Sequence, residues 1–471
     1  MSVKELVGAK SFDYMLFSLW LSLAAIGWLM IYSVGYKNGY NQDFNDFMIH
    51  TPAGKQTIFL GIGAILTFII MTMDWKFWRT FAWLVYGFGL LLLMLVLVIG
   101  IKVNGARAWF GFGGFGFQPV EVAKLGTCLA LSSFLSGAGS SLRDRKSQMT
   151  ILGILGAPVA LILLQPDLGS CLVFSSFAIL LYREGLTPLV FYIVFGLGGV
   201  FILALMFDPN WVVLYLSVVA CLIFAFNIQE RRNLWLFGLL AVIALSNYFY
   251  FKAAIDKGLL LMIATIVVFV VVHTRRGRFR LVVLNGIGFL LCSILIYTTN
   301  FVFHNVLQKH QQERINVWLR PDKCDPRGVA YNLIHSKMAI GAGGFTGKGF
   351  LEGPMTKLNY VPEQSTDFIF CTVGEEQGFI GVLGTLIIFC LFLIRIIQIA
   401  ERQRSNFSRL YAYGVAGIFF FHFIINIGMT MGVMPVIGIP LPFISAGGSS
   451  LLGFTALIAI LLKLDSHRYS I

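Results

Sequence analysis

The 471-residue sequence predicts an all-α, polytopic integral membrane protein with about fourteen spanning helices. Three observations predict it. Hydrophobic residues make up 58% of the chain, charged residues make up only 12%, and mean hydropathy is +0.82. Apolar runs of helical length also follow one another from residue 13 to residue 463. Soluble chains carry about 25% charge, and 12% would leave water-facing domains with large bare apolar patches. The net charge of +13 does not imply nucleic acid, because the basic residues are scattered over many short loops. That pattern sets membrane topology and does not build a binding face. Seven cysteines show no CxxC and no metal spacing. Cys128, Cys171, Cys221, Cys292 and Cys390 lie in apolar runs and Cys324 in a loop, so no disulfide framework is expected.

The helical runs are expected at 13–34, 56–73, 79–101, 120–136, 150–164, 168–182 and 187–207, then at 211–227, 233–250, 257–273, 280–302, 370–397, 409–432 and 446–463. The first continues past Met30 without a small-residue cleavage site, so it reads as a retained helix and not a signal peptide. With the N-terminus inside, and with basic residues at the run ends counted with the adjoining loop, the inner segments carry nineteen Lys and Arg and the short outer loops six. The loop 303–366 holds eight more, but loops of that length translocate largely regardless of charge. Both termini are therefore expected in the cytoplasm. The polar stretches 104–124, 165–169, 303–367 and 433–450 then share the outer face, where ATP is absent and a reaction must draw its energy from the substrate itself. Inner loops such as Arg143-Asp144-Arg145-Lys146 and Arg275-Arg276-Gly277-Arg278 read as charge anchors.

The first outer stretch holds Asn104-Gly105-Ala106-Arg107-Ala108-Trp109 and a glycine-rich link. It then runs through Gln118-Pro119 to Glu121 and Lys124. An interfacial aromatic belt with turn glycines accounts for Trp109 and Phe110, but not for Glu121 and Lys124. Those two lie three apart on one helix face, just after a proline suited to a first helical turn. Ionisable residues in a span face a cavity or each other, which leaves a site-supporting pair or a structural ion pair. Gln165-Pro166-Asp167-Leu168-Gly169 fits a tight turn or a helix cap.

The long loop passes Arg314, Arg320-Pro321-Asp322, Asp325-Pro326-Arg327-Gly328, Tyr331-Asn332 and His335-Ser336-Lys337. It then reaches the glycine run Gly341 to Gly349 and Pro362-Glu363-Gln364-Ser365-Thr366-Asp367-Phe368. So long a loop in a compact domain is expected to be functional. The glycine run is not a phosphate-binding loop. Ala342 stands five before Gly347 where glycine is required, and Gly349 follows Lys348 where Ser or Thr is required. Asp367 lies where polar loop becomes apolar helix, and partial desolvation there suits a general base; a helix N-cap is the other reading. Glu375 and Glu376 are expected to pair with Lys or Arg within the bundle. Finally, Met434 to Ser450 has three prolines after Met434 and several glycines. That is broken backbone at membrane depth, tolerated only in protein or along a watery cavity.

Taken together, Gln118-Pro-x-Glu121-x-x-Lys124, Gln165-Pro-Asp-x-Gly169, Asp325-Pro-x-Gly328, Pro362-Glu363 to Thr366-Asp367-Phe368, Gly374-Glu375-Glu376 and Gly438-Ile-Pro-Leu-Pro-Phe443-Ile-Ser445 resemble the SEDS family. Gly438 to Phe443 resembles its RodA branch. The resemblance implies a peptidoglycan glycosyltransferase of cell elongation, which polymerises lipid II at the outer face of the bacterial cytoplasmic membrane and releases polyprenyl diphosphate. It also implies a class B penicillin-binding protein as partner, beside other membrane proteins of an elongation complex. The family's essential acid falls on Asp367. The substrate-binding set drawn from these motifs and the nearby cations is Arg107, Trp109, Glu121, Lys124, Lys337, Glu363, Gln364, Thr366 and Ser445. Lys124, Arg107 and Lys337 would face the departing diphosphate with a divalent metal cation, Mg or Mn, to which Asp367 could itself be a ligand. Ser365 and Ala446 depart from the family's histidine and aromatic at those positions. The family core is ten helices, so residues 187–300 read as about four inserted spans within one transmembrane domain of residues 1–471. The alternatives are a flippase for the lipid-linked precursor and a non-catalytic scaffold for wall assembly.

Overall fold

The computed structural model describes residues 12–36, 44–103, 105–112, 115–137, 142, 144–228, 232–251, 255–307, 309–321, 324–325, 328 and 330–469. Asn104, Arg143, Asp322, Pro326 and Arg327 lie outside the described residues, as does the side chain of Arg314. The chain is a helical polytopic membrane protein. Among the described residues, ten helices are long and apolar enough to cross a membrane, and a helix occupies every one of the fourteen expected runs. The chain divides into two compact units, Met1–Leu186 with Cys324–Ile471, and Thr187–Lys323.

The first unit opens with α1 (Tyr14–Gly35), capped by Asp13, whose Oδ1 accepts Leu16 N–H at 2.7 Å. The short α2 (Phe44–His50) leads into α3 (Pro52–Thr72), which has proline in its first turn and Thr51 as cap. Next come α4 (Trp75–Thr80) and α5 (Ala82–Ile99). The stretch expected as Asn104 to Trp109 followed by a glycine-rich link instead holds an antiparallel three-stranded sheet, β1 (Ile101–Val103), β2 (Ala106–Phe112) and β3 (Phe115–Phe117). Backbone pairing satisfies polar groups that a plain link would leave to water. After it come α6 (Val120–Leu135) and α7 (Arg145–Leu164). The single run expected at 168–182 is split into α8 (Leu168–Val173), a 3-10 turn at Phe174–Ser176, and α9 (Phe177–Arg183). Ser175 Oγ donates back to Leu172 O at 2.5 Å there, a competitor of the regular helical ladder.

The second unit holds α10 (Pro188–Met206), α11 (Pro209–Phe226), α12 (Arg232–Phe251), α13 (Ile255–Arg275), α14 (Phe279–Asn305) and α15 (Lys309–Leu319). Leu214, Cys221, Phe224, Leu239, Met262 and Phe269 form its largest buried cluster.

The first unit resumes with α16 (Tyr331–Ala342), α17 (Pro354–Lys357), α18 (Ile369–Arg402), α19 (Asn406–Thr430) and α20 (Gly448–Ser466). The stretch 303–366 is thus not one loop but carries three helices, α15 to α17, which supply its backbone groups with partners. Small residues allow close helix contact: a Cβ on Gly126 would meet the Tyr86 backbone at 2.8 Å, binding α6 to α5. Residues 431–447 between α19 and α20 are irregular, and Leu441 to Ser445 are buried. Phe443, left-handed at φ +65°, packs among Trp20, Phe392, Phe419 and Phe454 with ring centroids 5.4–6.1 Å away. The second half of the broken backbone, Leu441 to Ser445, is therefore enclosed in protein, as apolar surroundings require, whereas Met431, Val433 and Gly438 of its first half are exposed.

α18 is two helices joined at Gly378, whose φ of +61° breaks the spiral. The glycine run after α16 wraps this break. Lys348 N–H donates to Glu375 O and Gly349 N–H to Glu376 O, both at 3.0 Å, while Phe379 N–H donates to Gly344 O at 2.9 Å. A Cβ would lie 1.9 Å from Gly374 O at position 343 and 2.1 Å from Glu376 O at position 347. The glycines are there to let two backbones meet.

Candidate active site

Asp367 ends the irregular stretch one residue before the cap position of α18. Phe368 holds the cap position and makes no side-chain cap bond. The aspartate is half-buried. Its carbonyl accepts Asn426 Nδ2 at 2.8 Å, and a Cβ on Gly438 would lie 3.1 Å from its Oδ2. Gly438 has φ +77°, a conformation open to glycine at little cost, so the carboxylate rests against bare backbone of the broken segment. Thr366 Oγ1 donates to Glu363 Oε2 at 2.9 Å, and Phe368 N–H to Glu363 O at 3.1 Å. Gln364 Nε2 donates to Thr356 O and Asn359 Oδ1, both at 2.9 Å, so this side chain is occupied inside the protein.

The broken segment gathers the rest. Ser445 Oγ accepts Leu441 N–H at 2.8 Å, fixing the Pro-Leu-Pro turn. Ala446 N–H donates to Ser365 O at 2.9 Å, so the two positions that depart from the family pattern meet. Lys337, exposed on α16, reaches the start of the segment: a Cβ on Gly432 would lie 3.2 Å from its Nζ. Lys337, Asp367 and Ser365 thus line up along one stretch of backbone. Arg107 is exposed on β2, and Trp109, half-buried, lays its ring over Gly116, where a Cβ would meet Cε3 at 2.9 Å. The contacts that gather Asp367, Lys337 and Ser445 do not include these two.

Glu121 and Lys124 form a buried pair, with Lys124 Nζ 2.9 Å from Glu121 Oε1 and both side chains at most 5% exposed. Lys124 Nζ also lies 3.1 Å from His422 Nε2, and His422 Nδ1 lies 3.1 Å from Pro440 O. An ammonium has only donors, so Nε2 must accept, which leaves the ring proton on Nδ1 to be donated to Pro440 O. Lys124 was expected to face a departing diphosphate. Its ammonium is instead spent within the protein on Glu121 and His422, with Phe454 packed 5.0 Å away. Glu121 Oε2 has no hydrogen-bond partner among the described residues and faces Gly453. Asp167 caps α8 by accepting Ser170 N–H at 3.0 Å and Ser170 Oγ at 2.7 Å. Glu375 was expected to pair with Lys or Arg. It accepts instead Met355 N–H at 2.7 Å, Thr356 N–H at 2.9 Å and Thr356 Oγ1 at 2.6 Å, because the amides of the first turn of α17 are free to donate. Glu376 Oε1 accepts Ser33 Oγ.

His422 and Asn426 were absent from the sequence-derived set. Each is at most 2% exposed, and each is a polar group within an apolar run, the signal that could have found them. Among the described residues no three His, Cys, Asp or Glu side chains gather into a metal cage. Asp367 offers one carboxylate, a hard oxygen donor of the kind a Mg-type ion takes, with water and a substrate left to supply the other ligands.

Comparison with known proteins gives a concordant picture. A family model described as "Cell cycle protein", spanning FtsW, RodA and SpoVE, matches residues 13–217 and 212–470. The peptidoglycan glycosyltransferase RodA of Treponema pallidum is 33% identical over 98% of this chain and 99% of its own. A chain from a solved complex described as a peptidoglycan synthase that coordinates polymerization and crosslinking superposes with a TM-score of 0.61. It is 27% identical, with 98% of this chain and 99% of that one covered. The rod shape determining protein RodA of Thermus thermophilus shares the fold, with a TM-score of 0.56 at 24% identity over 98% of both chains.

Proposed function

The chain belongs to the FtsW/RodA/SpoVE family, and from that premise we propose that it is a peptidoglycan glycosyltransferase of the RodA kind. It polymerises lipid II at the outer face of the cytoplasmic membrane during elongation, with both termini inside. The observation that carries the site is the half-buried Asp367 carboxylate held against the Gly438 backbone. It stands at the head of a membrane helix, where a lipid headgroup reaches.

Asp367 takes the proton from the acceptor sugar hydroxyl as that oxygen attacks the anomeric carbon of the donor, inverting it. The bond from that carbon to the lipid diphosphate breaks as the new one forms, and the diphosphate leaves with its polyprenyl chain. Lys337 and Arg107, both exposed, are the cations available to the leaving phosphates. Trp109 offers a ring face to a sugar or lipid. Glu121 and Lys124 act from behind, holding the site's wall. A bound Mg or Mn ion would supply further charge stabilisation to the diphosphate; the alternative role for Asp367 is to be its ligand in place of the base. The partner is a class B penicillin-binding protein that crosslinks the strand, in keeping with the two activities ascribed to the related complex.

The test is glycan-chain formation from purified lipid II by the protein with its cognate partner, comparing wild type with Asp367→Asn. Wild type should make chains, and the folded, partner-bound variant none. Equal chain formation by both would displace the base from Asp367. Failure of both, with lipid II crossing vesicle membranes, would make the protein a flippase.

A further inference from the structure

Two polar side chains of α19 stand outside every role assigned so far. His422 and Asn426 are four residues apart, hence on one face of the helix, and both point at the broken segment. Asn426 Nδ2 donates to Ile439 O at 2.7 Å and to Asp367 O at 2.8 Å. His422 Nδ1 donates to the next carbonyl, Pro440 O, at 3.1 Å, while its Nε2 accepts Lys124 Nζ at 3.1 Å. Prolines at 440 and 442 provide no N–H, so this stretch has few backbone donors with which to hold itself. The neighbouring amides, Leu441 N–H and Ser445 N–H, turn back within the segment, onto Ser445 Oγ and Leu441 O.

We infer that His422 and Asn426 are positioning residues for the transfer reaction, a two-point clamp that fixes the Ile439–Pro440 backbone between the Glu121–Lys124 pair and Asp367. The inference rests on the glycosyltransferase reading for its kinetic consequence, and on the hydrogen bonds alone for its structural one. Neither side chain touches substrate. Asn426 sets where the Asp367 main chain stands relative to Gly438, the residue its carboxylate rests on. His422 carries the same segment to Lys124, which gives the buried ion pair a mechanical task. Loss of either clamp lets the segment drift and the carboxylate with it, and displacements of about 1 Å cost on the order of 100-fold in rate.

The experiment uses the full chain with its partner and measures chain formation from lipid II as kcat and KM separately. His422→Leu and Asn426→Leu should lower kcat on the order of 10- to 100-fold with KM unchanged. His422→Gln, which keeps an acceptor for Lys124, should recover most of the loss. Because both residues hold one segment, the double Leu variant should be less impaired than the product of the two single losses. Wild-type kcat in the folded Leu variants, a loss confined to KM, or a strictly multiplicative double variant would each overturn the clamp. Backbone hydrogen exchange of the purified protein is independent of activity. His422→Leu and the milder Asn426→Ser should speed exchange at Leu441, Ile444 and Ser445, and unchanged exchange there refutes the inference even if the leucine variants fold poorly. Faster exchange combined with no lipid II polymerisation by wild type would leave the clamp standing and sink the glycosyltransferase reading instead.

Discussion

Replacing Lys124 with methionine removes the ammonium bonded to Glu121 while nearly keeping the volume of a long side chain. Glu121 is 4% exposed, and its second oxygen already lacks a hydrogen-bond partner among the described residues, so the variant strands a carboxylate in the bundle. Breaking a buried pair from one side costs about 3–5 kcal/mol, and His422 Nε2 loses its donor too, which adds about 1 kcal/mol or more. Glu121→Gln combined with Lys124→Met removes the stranded charge, so the double variant should regain most of the first loss and retain only the second. The assay is thermal unfolding of detergent-purified protein, ranked across wild type, the single variant and the double variant. The order expected is wild type, double, then single. A Lys124→Met protein as stable as wild type, or a double variant no better than the single, would refute the pairing as the reason these residues are charged.

Three shorter predictions follow from other contacts. Burial alone would raise the Asp13 carboxyl, but hydrogen bonds from Arg395, Leu16 N–H and Arg402 more than reverse this and hold it below its ordinary value of 3.8. Its stabilising effect is then complete above about pH 4 and fades as pH falls through the depressed folded value. Asp13→Asn should accordingly flatten the acid limb of the melting-temperature profile while lowering stability at neutral pH. Gly347→Ala combines a left-handed φ of +84° with a Cβ 2.1 Å from Glu376 O; the strain alone costs about 1–3 kcal/mol, and limited proteolysis near the α18 kink should accelerate. Asp167→Ala should destabilise by about 1 kcal/mol through loss of the α8 cap, whereas Asp167→Asn, itself a good cap, should melt close to wild type. Abolished glycan synthesis with unchanged melting in Asp167→Asn would make that residue chemical and not structural.

The apolar runs were legible because a spanning helix must be written continuously in sequence. Contacts between distant segments were not. Nothing local to Gly343 or Gly347 says that the backbone of α18 will pass within a Cβ's reach, so the glycine run could be excluded as a phosphate loop without its purpose being visible. Glu375 looked in need of a cation because main-chain amides from a short helix twenty residues away cannot be foreseen from its neighbours. The sheet formed by β1 to β3 was more accessible: Asn104-Gly105 is a strong hairpin signal that the sequence reading did not use. Asp367 was found by its place at a polar-to-apolar boundary. Its support from Gly438 and Asn426 depended on a fold in which α18, α19 and the broken segment converge.

The two ends of α18 show why that convergence can be both firm and irregular. At one end Arg402 bridges Asp13 and Asp465, Arg395 joins Asp13 at 2.8 Å, and Gln403 and Arg468 complete the shell around Asp465. This bolts α1, α18 and α20 together with paired charges. Toward its other end α18 is broken at Gly378, where the wrapping glycines bond to its main chain, and the proline-broken segment beside Asp367 turns carbonyls toward side chains. Broken backbone is costly in an apolar setting unless every group finds a partner, and here the partners are Asn426, His422 and Ser445. One of them, Asn426, also holds the Asp367 main chain. Irregular backbone at this depth therefore serves the site directly: it brings the bare face of Gly438 to the Asp367 carboxylate and frees carbonyls for Asn426 and His422, an arrangement that an unbroken helix, with its carbonyls bonded along its own axis, could not offer.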